Sequence, residues 1–250
     1  MRTGPAIRIA AVLTGLAVSA AALVAPAAAA GNPHRPETPA NQSSLKLPMD
    51  LKDKGEYVRK TQRRLIWLGY DIDWREQLEG VYGDSTKEAV RQLQNKFYLP
   101  ETGVVNKETW KTLDKVGSDV GELPKTCLSE AKTLCIDKTS KLLRYVRDKK
   151  VVLTLDVRFG VPGLETPNGT FRVWYKWRDA TSGLSNPRAP MPFALFFAGD
   201  IAVHYSPPFD ANGYYPGGGS HGCVNVRDRN GMEWLFDQFP ENGLVHVYNG

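Results

Sequence analysis

Cys223 stands in the run Ser220-His221-Gly222-Cys223-Val224-Asn225, and His204 precedes that run by sixteen residues at the end of Ile201-Ala202-Val203-His204. A thiol with two imidazoles close by in sequence is the set of groups that nucleophilic acyl chemistry needs. A free cysteine with its ordinary pKa near 8.5 is only about 3% thiolate at neutral pH, so it attacks a carbonyl only beside a base or a positive field. His204 and His221 are both candidates for that base. Pro216-Gly217-Gly218-Gly219, just upstream, lets the backbone bend and hold the sulfur at an open rim. Burial as a small hydrophobe is the common alternative for a free cysteine, but a glycine-rich approach and an adjacent histidine do not fit a continuous apolar run. His34, in a polar tail, and His246, in the alternating run Leu244 to Tyr248, read as bystanders. The histidines and cysteines lack the paired close spacings of zinc motifs, so no metal site is expected. Covalent catalysis by a thiol needs no cofactor.

The elements that must hold these groups read as short strands. Lys141 to Tyr145 and Val151 to Val157 are rich in Val and Leu and flank the charged turn Arg147-Asp148-Lys149-Lys150, a β-hairpin pattern. Phe171 to Trp177 alternates, with Phe171, Val173, Tyr175 and Trp177 on one face and Arg172, Trp174 and Lys176 on the other. Short strands with Gly and Pro turns indicate an all-β sandwich or barrel.

The preceding segment has a helical period instead. Val58, Leu65 and Leu68 suit one helix face that ends at Gly69. Ser85-Thr86-Lys87-Glu88 predicts a capping box, followed by Ala89, Val90, Leu93 and Phe97 at helical spacing and a stop at Pro100. Asn106 opens a third, shorter helix through Trp110 and Leu113. Gly80-Val81-Tyr82 leading to Thr86, and Gly103-Val104-Val105 leading to Thr109, recur with a period of 23 residues. This repeat suggests a compact helical module over 51–116. Tyr70, Trp74 and Tyr82 are either core or stacking surfaces for sugar.

The first thirty residues carry Arg2 and Arg8, an apolar Ala-rich stretch from Ile9 to Val24, and Ala28-Ala29-Ala30 before Gly31, the pattern of a cleaved secretory signal peptide. The stretch falls short of the roughly 20 residues that span a bilayer, so no stable membrane span is expected after cleavage. Residues 31–50, with four prolines and almost no apolar periodicity, read as a disordered tether, and 117–126 as a linker. Removing Arg2 and Arg8 leaves 30 basic against 27 acidic residues, a net charge of +3. The two signs are interleaved, which argues against a nucleic-acid surface. In an exported chain Cys127 and Cys135 pair as a disulfide and leave Cys223 free; two reduced, buried thiols are the alternative.

His204, then Ser220-His221-Gly222-Cys223 with Asn225, resembles the signature of the L,D-transpeptidase catalytic domain, also called the YkuD domain. The similarity extends through Thr166-Pro167-Asn168-Gly169-Thr170-Phe171, Met191-Pro192-Phe193 and Glu233-Trp234-Leu235-Phe236, over about residues 125–250. Many members carry Arg two residues after the cysteine; this chain has Asn225, like another subset, and Arg227 is left without a role. Val58, Gln62-Arg63-Arg64-Leu65, Leu68-Gly69-Tyr70, Gly80-Val81-Tyr82-Gly83 and Phe97 resemble the type 1 peptidoglycan-binding domain. Together the resemblances imply an α+β multidomain chain: a small three-helix peptidoglycan-binding module, then a mainly-β sandwich catalytic domain over 127–250, with a small helix at Arg229 to Phe239.

The family chemistry makes Cys223 the nucleophile on the third residue of a peptidoglycan stem peptide. D-Alanine leaves, and an amine of a second stem resolves the thioester into a 3-3 cross-link. The resemblance favours His204 as general base and acid, with His221 as the alternative, and puts an oxyanion hole on the main chain of His221, Gly222 and Cys223. The Tyr205 carbonyl is expected to orient His204. Ser220, Asn225, Tyr205, Met191 and Phe193 are expected at the substrate groove, with packing as the alternative for Met191 and Phe193, and Tyr214 and Tyr215 at a lid or as loop anchors. Stem peptides and glycan are the implied partners, carbapenem-type β-lactams the implied covalent inhibitors, and the cell wall or another extracytoplasmic space the implied location. An L,D-carboxypeptidase or other wall amide hydrolase using the same thiol, or a non-catalytic wall-binding protein, are the competing functions.

Overall fold

The computed structural model describes residues 45–118, 120–183 and 188–250 of the chain. The expected signal peptide, 1–30, and the first fourteen residues of the expected tether lie outside the described residues. None of the described helices is long and apolar enough to cross a membrane.

Four helices, α1 (Glu56–Trp67), α2 (Trp74–Glu79), α3 (Asp84–Lys96) and α4 (Lys107–Val116), form the first module. Their apolar faces, including Val58, Leu65, Val90, Leu93 and Leu113, close around the fully buried Tyr82. Residues 45–50 are not a tether. Met49 is buried in this core and exchanges backbone hydrogen bonds with Val105 at 3.1 and 2.9 Å. An apolar side chain with a partner strand edge is enough to fix a segment whose composition reads as disordered.

The 23-residue repeat has a physical basis. Gln62 Nε2 donates to Val81 O at 2.8 Å and to Thr86 Oγ1 at 3.0 Å, and Gln94 Nε2 donates to Val104 O at 2.9 Å and to Thr109 Oγ1 at 3.0 Å. Each Gly-Val turn and the threonine after it thus receive a glutamine amide from an earlier helix.

The expected three helices are four, and the capping box at Ser85 to Glu88 does not form. α3 begins at Asp84 with no side-chain cap of its own. Its free N–H groups are met by Glu76 on α2, whose carboxylate accepts from Gly83 N (3.2 Å), Ser85 N (2.9 Å), Thr86 N (2.9 Å) and Thr86 Oγ1 (2.6 Å). Burial works to raise the Glu76 pKa, yet the hydrogen bonds from Thr86 and Ser85 hold it below the usual carboxylate value. α2 is too short to show a period in sequence, and this cap is what it provides. At α4 the cap is local, with Thr109 N donating to Asn106 Oδ1 at 2.9 Å.

A 3-10 turn, Lys125–Leu128, leads into nine strands: β1 (Lys132–Asp137), β2 (Leu142–Arg147), β3 (Lys150–Arg158), β4 (Gly169–Arg172), β5 (Tyr175–Thr181), β6 (Pro190–Ala198), β7 (Ile201–Tyr205), β8 (Val224–Val226) and β9 (Leu244–Tyr248). The Cys127–Cys135 disulfide ties the turn to β1, and Cys223 is free. The β2–β3 hairpin turns on Asp148 and Lys149, both at positive φ (50° and 64°), as a two-residue turn matched to strand twist requires.

The sheet order is β4-β9-β1-β2-β3-β8-β7-β6-β5. Its two edge strands, β4 and β5, are consecutive in the chain, so the sheet curls back on itself. The residues expected as one alternating strand, Phe171 to Trp177, are in fact this crossing: Val173 N donates to Gly243 O beside β9, and Trp174 N donates to Phe196 O on β6. Val173 is accordingly buried while Trp174, Tyr175 and Trp177 are exposed. The concave side holds the core, with Leu134, Tyr145, Val157, Val203, Val224 and Val245 packed against Met232, Leu235 and Phe236 of α6 (Arg229–Gln238), the helix that follows the short α5 (Pro207–Asn212) in the chain.

The two modules are joined by buried polar contacts. Lys96 Nζ lies 2.6 Å from Asp156 Oδ1, Lys141 Nζ donates to Lys96 O at 2.8 Å, and Arg144 Nη2 donates to Trp67 O at 3.1 Å.

Candidate active site

β8 is the strand that assembles the site. It pairs parallel with β7, so His204 is the register partner of Asn225, and antiparallel with β3, so Arg158 faces Asn225 from the other side. Cys223 immediately precedes β8. The sulfur and the His204 ring open on one cavity of about 720 Å³, with Asn225, His221, Ser220, Met191, Arg158 and Tyr215 also in its walls.

The loop that presents Cys223 is held by its glycines and by neighbouring backbone. Gly222 has φ +115°, and a Cβ there would press on Ile201 at 3.2 Å, so only glycine fits the turn before the sulfur. The continuation of β3 zips to the loop: Ser220 N donates to Phe159 O and Val161 N donates to Ser220 O, both at 3.0 Å. Gly160 sits between them, where a Cβ would fall 1.8 Å from Leu164 O. Thr166 is the buried tie between the two segments. Its hydroxyl accepts from Gly160 N at 3.2 Å and donates to Gly222 O at 2.7 Å.

His204 is 6% exposed, and its Nδ1 lies 2.6 Å from the Tyr205 carbonyl. A carbonyl only accepts, so Nδ1 carries the proton and Nε2 is left as the basic nitrogen. Burial lowers the His204 pKa to about 4, against the opposing influence of the Tyr205 and Asn225 hydrogen bonds, with a smaller push from Arg158 in the same direction as burial. The ring is therefore neutral at pH 7. Burial also raises the Cys223 thiol, only partly offset by the Ala202 backbone. Its Sγ sits 3.9 Å from Asp200 O, within range of a weak S–H contact. A protonated thiol and a neutral imidazole thus share one cavity, rather than a standing ion pair.

The other residues singled out from the sequence fall into separate places. Ser220 Oγ is committed to the loop, donating to Cys223 O at 2.6 Å and accepting from Gly222 N at 3.1 Å. That bond takes the Gly222 amide out of the set of free donors beside the sulfur. His221 is exposed at the cavity edge. The Tyr205 side chain points away from the cavity, buried, with Oη donating to Asp210 at 2.7 Å. Met191 packs with Ala194, Ala202 and Cys223. Phe193, expected with it in the groove, belongs to the opposite face, against Phe236 at 6.1 Å between ring centres. Its backbone is left-handed (φ 60°), which reverses the alternation of β6, so that Met191 before it and Phe196 after it face the cavity.

Tyr214 is an anchor, buried with Oη donating to Val157 O at 3.0 Å, whereas Tyr215 lies in the cavity wall. Arg227 lines a different cavity with Glu88, Glu101 and Asp156. His246 Nδ1 lies 3.0 Å from Thr170 Oγ1 on the β4–β9 side of the sheet. Of the aromatics weighed for sugar stacking, Tyr70 and Tyr82 are core and Trp74 is 64% exposed. Arg158 and Gly160 carried no functional signal in sequence, and Thr166 only as part of the Thr166 to Phe171 stretch of the resemblance: their spacing from Cys223 is long, and strand pairing and the Thr166 hydroxyl bring them to it.

Residues 131–247 match the family model of the L,D-transpeptidase catalytic domain (YkuD), and residues 54–113 match that of a peptidoglycan binding domain. The chain thus joins an L,D-transpeptidase catalytic domain of the YkuD family to an N-terminal peptidoglycan-binding domain. An L,D-transpeptidase from Stackebrandtia nassauensis shares the fold, at 22% identity over 81% of this chain and 95% of its own, with a TM-score of 0.53. An L,D-transpeptidase from Xylanimonas cellulosilytica aligns at 28% identity over 82% of this chain and 99% of its own (TM-score 0.45). The catalytic domain of the E. faecium L,D-transpeptidase, solved acylated by ertapenem, aligns at 29% identity over 48% of this chain and 98% of its own (TM-score 0.40). No curated protein matches in sequence.

Proposed function

We propose that the chain is an exported cysteine L,D-transpeptidase that forms 3-3 peptidoglycan cross-links through a thioester on Cys223. The observation that carries this reading is the His204 ring, buried, neutral and fixed through Nδ1 on the Tyr205 carbonyl, in the same cavity as the one free thiol among the described residues. As the donor stem peptide enters, the thiol proton passes to His204 Nε2 and the sulfur attacks the carbonyl of the third residue. The developing oxyanion is received by the amides of His221 and Cys223, since the Gly222 amide is engaged by Ser220. His204 then returns the proton to the leaving amine, and D-alanine departs. A side-chain amine of a second stem, of diaminopimelate type, attacks the thioester carbonyl, gives up a proton to His204, and regenerates the thiol as the new amide forms. The signal-like residues 1–30 and the Cys127–Cys135 disulfide both support export to an oxidising space at the cell wall. There the helical module supplies retention on glycan or stem peptide.

Intact-protein mass spectrometry after incubation with a carbapenem tests the nucleophile. The wild type is expected to gain one adduct and Cys223→Ala none. With stem tetrapeptides as both donor and acceptor, the expected product is the 3-3 dimer plus free D-alanine. Release of D-alanine with tripeptide and no dimer would identify a carboxypeptidase, and the absence of any Cys223-dependent adduct would remove the thioester.

A further inference from the structure

Arg158 is the one Lys or Arg among the residues that line the cavity, beside a single carboxylate, Asp200, and the mechanism above leaves it unused. It ends β3, is 7% exposed, and lines the same cavity as Cys223 and His204. Its Nε and Nη1 are buried without a hydrogen-bond partner, and no carboxylate of the described residues forms an ion pair with it. What holds it instead is aromatic: the guanidinium carbon lies 4.8 Å from the centre of Phe209 and 5.7 Å from that of Tyr215. A buried cation without a counter-ion is unfavourable, and such groups persist in folded proteins where a ligand completes them. Stacking on ring faces keeps the guanidinium in place while leaving its N–H groups uncommitted.

We propose that Arg158 receives the terminal carboxylate of the acyl donor and so restricts donors to stem peptides that end one residue beyond the scissile bond. This rests on the transpeptidase reading. In that reaction the leaving residue is D-alanine, whose carboxylate is a single carbon away from the departing nitrogen. A receptor for it must therefore lie in the wall of the nucleophile's own cavity, where Arg158 is. The register partners Arg158, Asn225 and His204 put receptor and base on three adjacent strands that meet at β8. The interaction adds a charge-assisted bond to a group that departs with the product.

The experiment compares donor tetrapeptides in three forms, assayed with the full-length secreted enzyme: free acid, C-terminal amide, and free acid with the side-chain carboxyl of the third residue amidated. The wild type is expected to favour the free acid over the C-terminal amide by about 10- to 100-fold in kcat/KM, and Arg158→Gln to bring that ratio close to one. Arg158→Lys, which keeps the charge without the planar fork, is expected to retain part of the preference. A structural role on Phe209 and Tyr215 would lower all three donors equally and leave the ratio intact, which overturns the proposal. Loss of discrimination only at the third-residue side chain would also overturn it, by assigning Arg158 to the other carboxylate. Cys223→Ala run in parallel separates the two levels: if it still forms dimer the transpeptidase reading fails, whereas if it is inert and Arg158→Gln keeps the wild-type ratio only the receptor fails.

Discussion

The seam between the modules and the cavity around Cys223 both bury charge, and they treat it in opposite ways. At the seam, Lys96 is 1% exposed; burial lowers its pKa despite Asp156 at 2.6 Å. Lys141 beside it is brought to about 8, by burial first and then by the Lys96 charge, and it donates to Lys96 O and lies 4.5 Å from the Tyr98 ring centre. Each ammonium there has its partner inside the chain. In the cavity, His204 is pressed to about 4, and Arg158 has no counter-ion among the described residues. Buried polarity that the chain satisfies itself holds parts together; buried polarity that it leaves unmet, at the wall of a cavity, is directed at a ligand.

The largest effect that sharpens this contrast is expected at His204. His204→Ala should lower the rate of Cys223 acylation by about 10²- to 10⁴-fold while thermal unfolding stays near that of the wild type. A similar loss in His221→Ala with His204→Ala still active would move the base to the exposed ring and break the comparison at its centre.

A second effect appears in stability against pH. The His204 pKa is about 4 in the folded state and near 6.5 unfolded, so between those values the unfolded chain binds the extra proton. Its contribution is therefore complete above pH 6.5 and is lost as pH falls toward 4, by up to about 3 kcal/mol. The check is the difference in unfolding free energy between wild type and His204→Asn across that window. A difference that does not change with pH would mean that the ring is not held neutral by burial.

The smallest effect belongs to the seam. Lys96→Met keeps most of the volume and leaves Asp156, whose side chain is 32% exposed, without its partner. The expected cost is about 1–2 kcal/mol in denaturant unfolding, with the carbapenem acylation rate within about twofold of wild type. An acylation defect approaching that of His204→Ala would show that the seam positions the catalytic strands, and the two regions would no longer be separable.

Local sequence signals hold where a residue acts on its own neighbours. The Asn106 cap and the β2–β3 hairpin depend on bonds within a few residues, and both appear; the helix after Cys223, implied by the resemblance, appears as well. Where the partner is distant the local pattern misleads. Ser85 to Glu88 has the letters of a capping box, but Glu76 reaches those N–H groups from another helix. Phe171 to Trp177 alternates like one strand, but hydrogen-bond partners at opposite edges of the sheet divide it. One residue at positive φ, Phe193, reverses the faces of β6 and removes itself from the groove.

The sequence by itself determined which candidate groups the chain carries: a cysteine on a glycine-rich turn, a histidine sixteen residues ahead of that run, and a helical module before them. Those are properties of residue type and short spacing, which the chain cannot alter by folding. Only the tertiary structure decided which histidine is buried and neutral, which amide near the sulfur is already engaged, and that Arg158, 65 positions before Cys223 in the numbering, shares its cavity. Burial and register are set by strands distant in sequence, and they, rather than the residues' own identities, fix charge state and neighbours.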